Sequence, residues 1–321
     1  MKYSIILIIL FGTFIVKAQS VPASEENIPF LVTFGSASET AWGDDDFSQT
    51  FFFIIPETWK KPFFIRIFDP ETGGANDEIK NTPDSKTTFT VFGGKGVFSN
   101  PQARSAGPVD AENSGIKLSS KTFDNSARYD NKWFSLGPFN PVEGEYISDF
   151  KGFIFKIVAT GIAGNDGNLY KYFLSSQNDE NTKIEGGNAF TYEYSFRLWD
   201  KSGFISHIYP FINNKVVSIK IHTFDFDNDG EIRIVSLAKK SEEVKVSGDN
   251  EWVSSIHPIT DKEKNTSLDI QIIKLKSSIN NNVVFYITNQ YGELLPFFTT
   301  PIGGIPKYPY EIKHRPYQGN H

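Results

Sequence analysis

Cysteine is absent from the 321 residues of this chain. This absence excludes disulfides, thiolate nucleophiles and zinc–thiolate sites. A chain of this length without such cross-links must depend on the burial of a large apolar core, with bound ions as the remaining reinforcement. Sites built from Asp, Asn and backbone oxygen stay open, and that ligand chemistry suits calcium.

An excess of positive charge is also missing. The 32 Lys and Arg are outnumbered by 38 Asp and Glu, which gives a formal net charge of −6. Since neither a basic face nor a long basic run is present, we expect no nucleic-acid partner. Beyond the first residues, no apolar run approaches the roughly twenty residues that cross a bilayer, so we expect a chain that does not span the membrane.

Familiar catalytic motifs are missing too. The chain contains no Gly-x-Ser-x-Gly, no phosphate-binding loop and no His-Glu-x-x-His. A glycosidase needs two carboxylates that face each other across a cleft, and the sequence does not single out such a pair. We therefore predict no catalytic residues.

Residues 1–18 have the pattern of a secretory signal peptide. Lys2 supplies a positive start, an apolar segment runs from Ser4 to Ile15, and Val16-Lys17-Ala18 precedes the expected cleavage point. The pattern predicts a secreted protein, soluble in the periplasm or the extracellular space.

Aromatic residues, in contrast, are abundant. Thirty Phe and thirteen Tyr contribute to an aromatic fraction of 15%, which favours strands. Short apolar or alternating segments recur about every 8–12 residues between turn residues, as in β-sandwiches. We predict an all-β fold with two consecutive β-sandwich domains of the jelly-roll or Ig-like kind. They cover residues 19–200 and 201–300, and a Pro/Tyr-rich extended tail follows at 301–321.

Two segments make more specific fold predictions. The continuous apolar run from Phe51 to Ile55 predicts a strand that is buried on both faces. The sequence Gly164-Asn165-Asp166-Gly167-Asn168 is typical of a β-hairpin turn.

The densest acidic motif is Asp225-x-Asp227-x-Asp229-Gly230. Ligands at alternate positions converge in calcium loops because the backbone curls around the ion, and Gly allows the sharp bend. Glu231 would add its backbone carbonyl, while Ser236 stands where an EF-hand has its closing Glu. We predict a calcium site here; the alternative is a solvated turn that its own Asp and Asn side chains stabilise.

A second loop, from Asp69 to Glu78, combines Asp-Pro with two glycines, and these residues predict a defined loop conformation. It predicts a second calcium site with Asp69, Asn76 and Asp77 as ligands, joined by an Asp from 44–46. An ordinary strand connection is the alternative.

The Asp-Pro-Glu-Thr-Gly-Gly loop lies between Phe-rich strands, and Trp-Phe-Ser-Leu-Gly-Pro-Phe follows at 133–139. In these motifs, residues 28–200 resemble the calcium-dependent jelly-roll modules of secreted bacterial enzymes, such as pre-peptidase C-terminal domains. The resemblance implies an adhesive or accessory role.

Trp42 and Trp59 lie in predicted loops, where an aromatic side chain is less needed for the core. They are candidate ligand-binding residues for sugar stacking, with rim packing as the alternative.

Together these features predict an exported, non-catalytic protein that calcium stabilises and that recognises a glycan or a protein partner at the cell surface. Its role would be binding, adhesion or assistance to an enzyme. One alternative is an extracellular carbohydrate-active hydrolase with paired carboxylates. Another is a structural subunit of a cell-surface or secretion assembly.

Overall fold

The computed structural model of the chain describes residues 19–104, 114–277 and 281–309. The predicted signal peptide at 1–18 lies outside the described residues, as does the end of the predicted tail at 310–321. The described ranges contain many strands and no α-helix, so the predicted all-β class is confirmed.

The strands, in chain order, are β1 (Ser20–Val21), β2 (Phe30–Phe34), β3 (Ser48–Pro56), β4 (Phe63–Phe68), β5 (Lys86–Gly93), β6 (Ile116–Phe123), β7 (Trp133–Phe139), β8 (Glu145–Ile147), β9 (Gly152–Ala163), β10 (Gly167–Ser175) and β11 (Asn188–Thr191). They continue with β12 (Glu193–Arg197), β13 (Ile205–Ile208), β14 (Phe211–Ile212), β15 (Ser218–Phe224), β16 (Gly230–Val235), β17 (Glu242–Val244), β18 (Trp252–Pro258), β19 (Thr266–Ser267), β20 (Asp269–Lys274), β21 (Asn282–Asn289) and β22 (Phe297–Phe298).

Short 3-10 helices occur in the connections, at Ser24–Glu26, Thr40–Trp42, Pro101–Arg104, Pro141–Glu143, Ser148–Phe150 and Asp261–Glu263. No helix in the described ranges has the length and apolar character needed to cross a membrane.

The strands form four antiparallel sheets. The largest has nine strands in the order β18-β15-β21-β12-β2-β10-β4-β7, with β1 also paired to β10. A seven-stranded sheet has the order β22-β11-β3-β9-β5-β6, with β8 paired to β9. A four-stranded sheet, β13-β20-β16-β17, and the pair β14-β19 complete the fold.

Strand β3 is buried on both faces, as its continuous apolar sequence predicts. Phe51, Phe53 and Ile55 enter the main core cluster between the sheets. Phe52 and Ile54 point the other way, into a second cluster on the outer side of the seven-stranded sheet. A strand with two covered faces has no position left for polar alternation.

The main core lies on the inner face of the nine-stranded sheet. Rings of the seven-stranded sheet contact it there: Phe51 lies 5.4 Å from Tyr194, and Phe89 lies 5.0 Å from Tyr170, measured between ring centroids. The same cluster continues to Ile232 of β16, in the four-stranded sheet. One large sheet therefore packs against two smaller ones.

The predicted hairpin at 164–168 is wrong. The turn is present, but β9 before it belongs to the seven-stranded sheet and β10 after it to the nine-stranded sheet. The turn residues reverse the chain direction, and the apolar faces of the two strands then pack in opposing sheets instead of pairing edge to edge.

The predicted boundary at residue 200 falls between neighbours in one sheet. Strand β12 pairs along its length with β21, so that Tyr194 faces Phe285 and Phe196 faces Val283. The nine-stranded sheet thus includes strands from both sides of the boundary. The division into two domains stays a prediction.

Candidate functional site

Strands β15, β18 and β21 form an edge region of the nine-stranded sheet with one face turned away from the core. Ile221 and Phe285 enter the core from this region. The register pairs His222 with Tyr286 and with Ser254, and it pairs Phe224 with Trp252. Since strand side chains alternate, these residues occupy the outer face.

Three rings on this face form what we call the aromatic platform: His222, Tyr286 and Trp252. The imidazole of His222 stacks on the ring of Tyr286, with 4.2 Å between centroids and 17° between planes. Trp252 lies 5.1 Å from Tyr286 and keeps 38% of its surface exposed. The planes of Trp252 and Tyr286 meet at 56°, so the platform is a bent aromatic surface that solvent reaches at Trp252.

An open groove of about 600 Å³ borders the platform. Its size lies within the range of small-molecule sites. Ile256, 70% exposed, contributes an apolar wall. The polar lining residues include Ser218, Lys220, Thr288, Asn289 and Gln290. Flat rings beside hydroxyl and amide groups suit a ligand that is both apolar on one face and rich in hydrogen-bonding groups.

His222 is uncharged at neutral pH. Partial burial, assisted by the charge of Lys220, lowers its pKa to about 4. Its Nδ1 lies 3.0 Å from the Ser254 hydroxyl and its Nε2 lies 3.3 Å from the Thr288 hydroxyl. The neighbouring hydroxyls therefore fix the orientation of the imidazole, and the platform offers stacking without a positive charge.

A first acidic cluster lies near the platform, in the loop before β3. Asp44, Asp45 and Asp46 each place a carboxylate oxygen within 4.8 Å of the others. Asp44 is buried and accepts hydrogen bonds from the backbone N–H groups of Phe34 (2.7 Å) and Phe47 (2.9 Å). These bonds fix the loop and hold the three acids together.

Glu193 adds a fourth acid at the point where the chain leaves one sheet for another. Thr191 ends β11 in the seven-stranded sheet, and Glu193 begins β12 in the nine-stranded sheet. Burial, followed by the charges of the three Asp, raises the pKa of Glu193 well above its ordinary value. Glu193 faces Tyr286 in the pairing of β12 with β21, which places it beside the platform. Burial, followed by the charges of Glu193 and Asp45, raises the pKa of Tyr286.

The predicted calcium loop at 225–231 is brought together only in part. Asp225 and Asp227 converge, and their third partner is Asp249, with carboxylate oxygens within 4.8 Å of one another. Burial raises the pKa of Asp225 to about 7, and its Oδ1 accepts a hydrogen bond from the Asn250 N–H at 2.6 Å.

Asp229 and Glu231 face other partners. The Oδ2 of Asp229 accepts hydrogen bonds from Lys274 Nζ at 2.7 Å and from the amide of Asn281 at 2.5 Å, in a buried environment. The side chain of Glu231 forms an ion pair with Arg233. The alternate spacing predicted that Asp229 would join the other two Asp. In the fold, its side chain points toward β20 instead.

Gly230 serves a different purpose from the one that the motif suggests. The left-handed backbone of this loop lies at Asp225 (φ 57°), Asp227 (φ 58°) and Asn228 (φ 50°). A Cβ on Gly230 would instead overlap the backbone carbonyl of Ile273. The glycine allows close pairing of β16 with β20, and the bend itself is made by Asp and Asn.

The predicted second site at Asp69, Asn76 and Asp77 is a network of hydrogen bonds. Asp69 accepts one from the Asn76 amide at 2.5 Å. Asp77 accepts backbone N–H bonds from Gly73 (2.9 Å) and Leu169 (2.8 Å), and burial raises its pKa to about 7. The three residues are close together, and their contacts brace the loop against β10.

Trp42 and Trp59 pack in separate clusters. Trp42 lies 5.9 Å from the ring of Phe34, and the ammonium of Lys80 lies 3.9 Å from the centre of its ring. Trp59 packs against the main core, and its buried Nε1 has no hydrogen-bond partner in the described residues. Their role in ligand binding stays a prediction.

Sequence reasoning missed the residues of the platform and the roles of Glu193 and Asp249. Alternation in β15, β18 and β21 marks one face of each strand, but the strand order that joins these faces is not local information. Glu193 and Asp249 are distant in sequence from the acids they meet, so no spacing could reveal them.

No protein-family model and no curated protein sequence matches this chain. Among solved structures, a chain in the cryo-EM structure of the T=1 Penaeus vannamei nodavirus is 11% identical, with 81% of this chain and 96% of that chain covered and a TM-score of 0.20. A likeness at this level supports no inference about this protein.

Proposed function

We propose that this protein is an exported, non-catalytic binding protein that recognises a neutral carbohydrate on the aromatic platform. The observation that carries the proposal is the cluster of aromatic rings on the outer sheet face, in which His222 stacks on Tyr286 and the exposed Trp252 lies beside them. A sugar ring has one face of C–H groups that packs on flat rings, while its hydroxyls reach hydrogen-bonding groups at the rim.

The electrostatics of the region favour an uncharged ligand. His222 is neutral, and the ammonium of Lys220 in the groove is opposed by the acids Glu193 and Asp45 near Tyr286, so the region has no excess of one charge that would select a charged ligand. The groove supplies hydroxyl and amide groups, among them Thr288 and Gln290. A protein partner is the alternative occupant, and the experiment below separates the two.

Replacing Trp252 with Ala should weaken carbohydrate binding by about tenfold. The loss of one stacked ring removes on the order of 1.4 kcal/mol, which corresponds to that factor. Affinity electrophoresis against plant, fungal and bacterial polysaccharides would identify a ligand. Calorimetric titration with an oligosaccharide of the best polysaccharide would then compare the variant with the wild type.

The matched control is Tyr146→Ala, since Tyr146 is also an exposed aromatic residue (49%) but lies on β8 of the seven-stranded sheet. Its affinity should equal that of the wild type. A wild type that binds no polysaccharide, or a Trp252→Ala variant that binds as tightly as the wild type, would contradict the proposal and favour a protein partner.

A further inference from the structure

The acids at 44–46 lie together without a cationic side chain paired to them in the part of the chain that the structure describes. Among the described residues, none of these three acids forms an ion pair with Lys or Arg, and Glu193 forms none either. The buried carboxylates of Glu78, Glu263 and Asp229 do form such pairs. The buried Oδ1 of Asp45 has no hydrogen-bond partner in the described ranges. A largely buried carboxylate without a cation is costly, and Arg104, which lines a cavity with Asp46 and Glu193, forms no ion pair with them among the described residues, so the arrangement favours a cation from solution.

Glu193 points to the same place. Its carboxylate receives no hydrogen bond from any described residue, and the charges that act on it most are those of Asp46, Asp45 and Asp44. Glu193 and Asp46 line a common cavity of about 20 Å³. That volume holds about one water molecule or one ion.

We propose that Asp44, Asp45, Asp46 and Glu193 form a binding site for one calcium ion. All the ligands are carboxylate oxygens, which hard cations prefer. Calcium binds oxygen at about 2.3–2.6 Å, so oxygens on opposite sides of the ion are about 4.6–5.2 Å apart. The three Asp oxygens lie within 4.8 Å of one another and meet this requirement, and Glu193 closes the site directly or through water.

The state of the acids without an ion agrees with this assignment. Burial, together with the charge of Asp45, raises the pKa of Asp46 to about 7, and burial raises the pKa of Asp44 well above its ordinary value. Carboxylates that repel one another in this way release protons when a cation binds. The site is independent of the carbohydrate proposal, because it rests on none of the groove contacts.

Calorimetric titration of the full chain with calcium chloride tests the assignment. The variants are Asp45→Asn and Glu193→Gln, since no other described residue donates a hydrogen bond to either carboxylate and both changes keep the shape. Each should weaken calcium binding by about 10- to 100-fold. Asp44 is left unchanged because its bonds to the backbone fix the loop.

Asp249→Asn is the matched control, since Asp249 belongs to the other acidic cluster, with Asp225 and Asp227. Its affinity for calcium at the proposed site should be unchanged. Equal affinities in Glu193→Gln and the wild type would overturn the proposal, and so would loss of all calcium binding in Asp249→Asn.

Three further outcomes are informative. Arg104 lines the same cavity and could pair with Glu193 in place of an ion. In that case the wild type would bind no calcium and Arg104→Gln would bind it. Absence of calcium binding by the wild type would overturn the proposal. Release of reducing sugars by the wild type that Glu193→Gln abolishes would assign Glu193 to acid catalysis instead. Loss of carbohydrate binding in Trp252→Ala with calcium binding intact would show that the two sites are separate.

Discussion

Replacing Glu26 with Gln should remove a large part of the pH dependence of stability. Glu26 is 1% exposed, and burial raises its pKa from 4.5 to about 8. Its Oε2 accepts hydrogen bonds from the Ala23 N–H at 2.6 Å and the Tyr194 hydroxyl at 3.3 Å. These bonds favour the ionised form, but desolvation outweighs them.

The sign follows from proton uptake. Between pH 4.5 and about pH 8 the folded chain keeps a proton that the unfolded chain releases, so the free energy of unfolding falls as pH rises. The slope from one such group approaches about 1.4 kcal/mol per pH unit, which amounts to roughly 3 kcal/mol between about pH 5 and about pH 7.5. The contribution is complete below the unfolded pKa and lost as pH passes the folded pKa.

Urea unfolding at several pH values would measure this difference. Glu26→Gln should be less stable than the wild type in acid, where its amide lacks a full set of partners, and should gain on the wild type steadily as pH rises. Glu25→Gln, a neighbouring change at an exposed site, should run parallel to the wild type. The other titratable groups near Glu26 are Tyr194, Glu25 and Tyr209, and all three are unchanged in Glu26→Gln. If the free energy of unfolding of Glu26→Gln changed with pH in parallel with that of the wild type, Glu26 would not be a protonated carboxyl in the folded chain.

Replacing Lys274 with Met should destabilise the fold by about 3–5 kcal/mol. Lys274 is 2% exposed and lies 2.7 Å from Asp229, which is 3% exposed. Removal of one partner leaves a buried charge without its main compensation, and that loss exceeds the net value of the pair itself. Thermal unfolding monitored by circular dichroism would give the change.

The double variant Lys274→Met/Asp229→Asn should recover much of the lost stability, because no buried charge then remains. Lys239→Met is a comparable case, since Lys239 pairs with the buried Glu263 at 2.9 Å and lies away from the Asp loop. It should be destabilised to a similar extent. If Lys274→Met unfolded like the wild type, the buried pair of Lys274 and Asp229 would not stabilise the fold and the prediction would be wrong.

The sequence predicted those features of the fold that depend on the residue pattern within one strand. The apolar run from Phe51 to Ile55 predicted two buried faces because each side chain needs a covered surface. The aromatic content and the short alternating segments likewise predicted the all-β class. These inferences use contacts within a few residues or the alternation of one strand.

The candidate site was less accessible to such reasoning. Asp229 meets Lys274 through the pairing of β16 with β20, and Glu193 meets Asp45 through a change of sheet. Both depend on strand order, which the local pattern does not determine. Calcium at Asp225 and Asp227 stays a prediction, with Asp249 as the partner that the fold supplies.

The pairing of β12 with β21 has a consequence for how the chain must be made. Were the polypeptide cut near Asp200, each piece would carry a long strand whose backbone donors and acceptors had lost their mates. Bare margins of this kind recruit other polypeptides and promote aggregation. In the continuous chain the two strand edges are at high local concentration, so they pair with each other before they pair with another molecule.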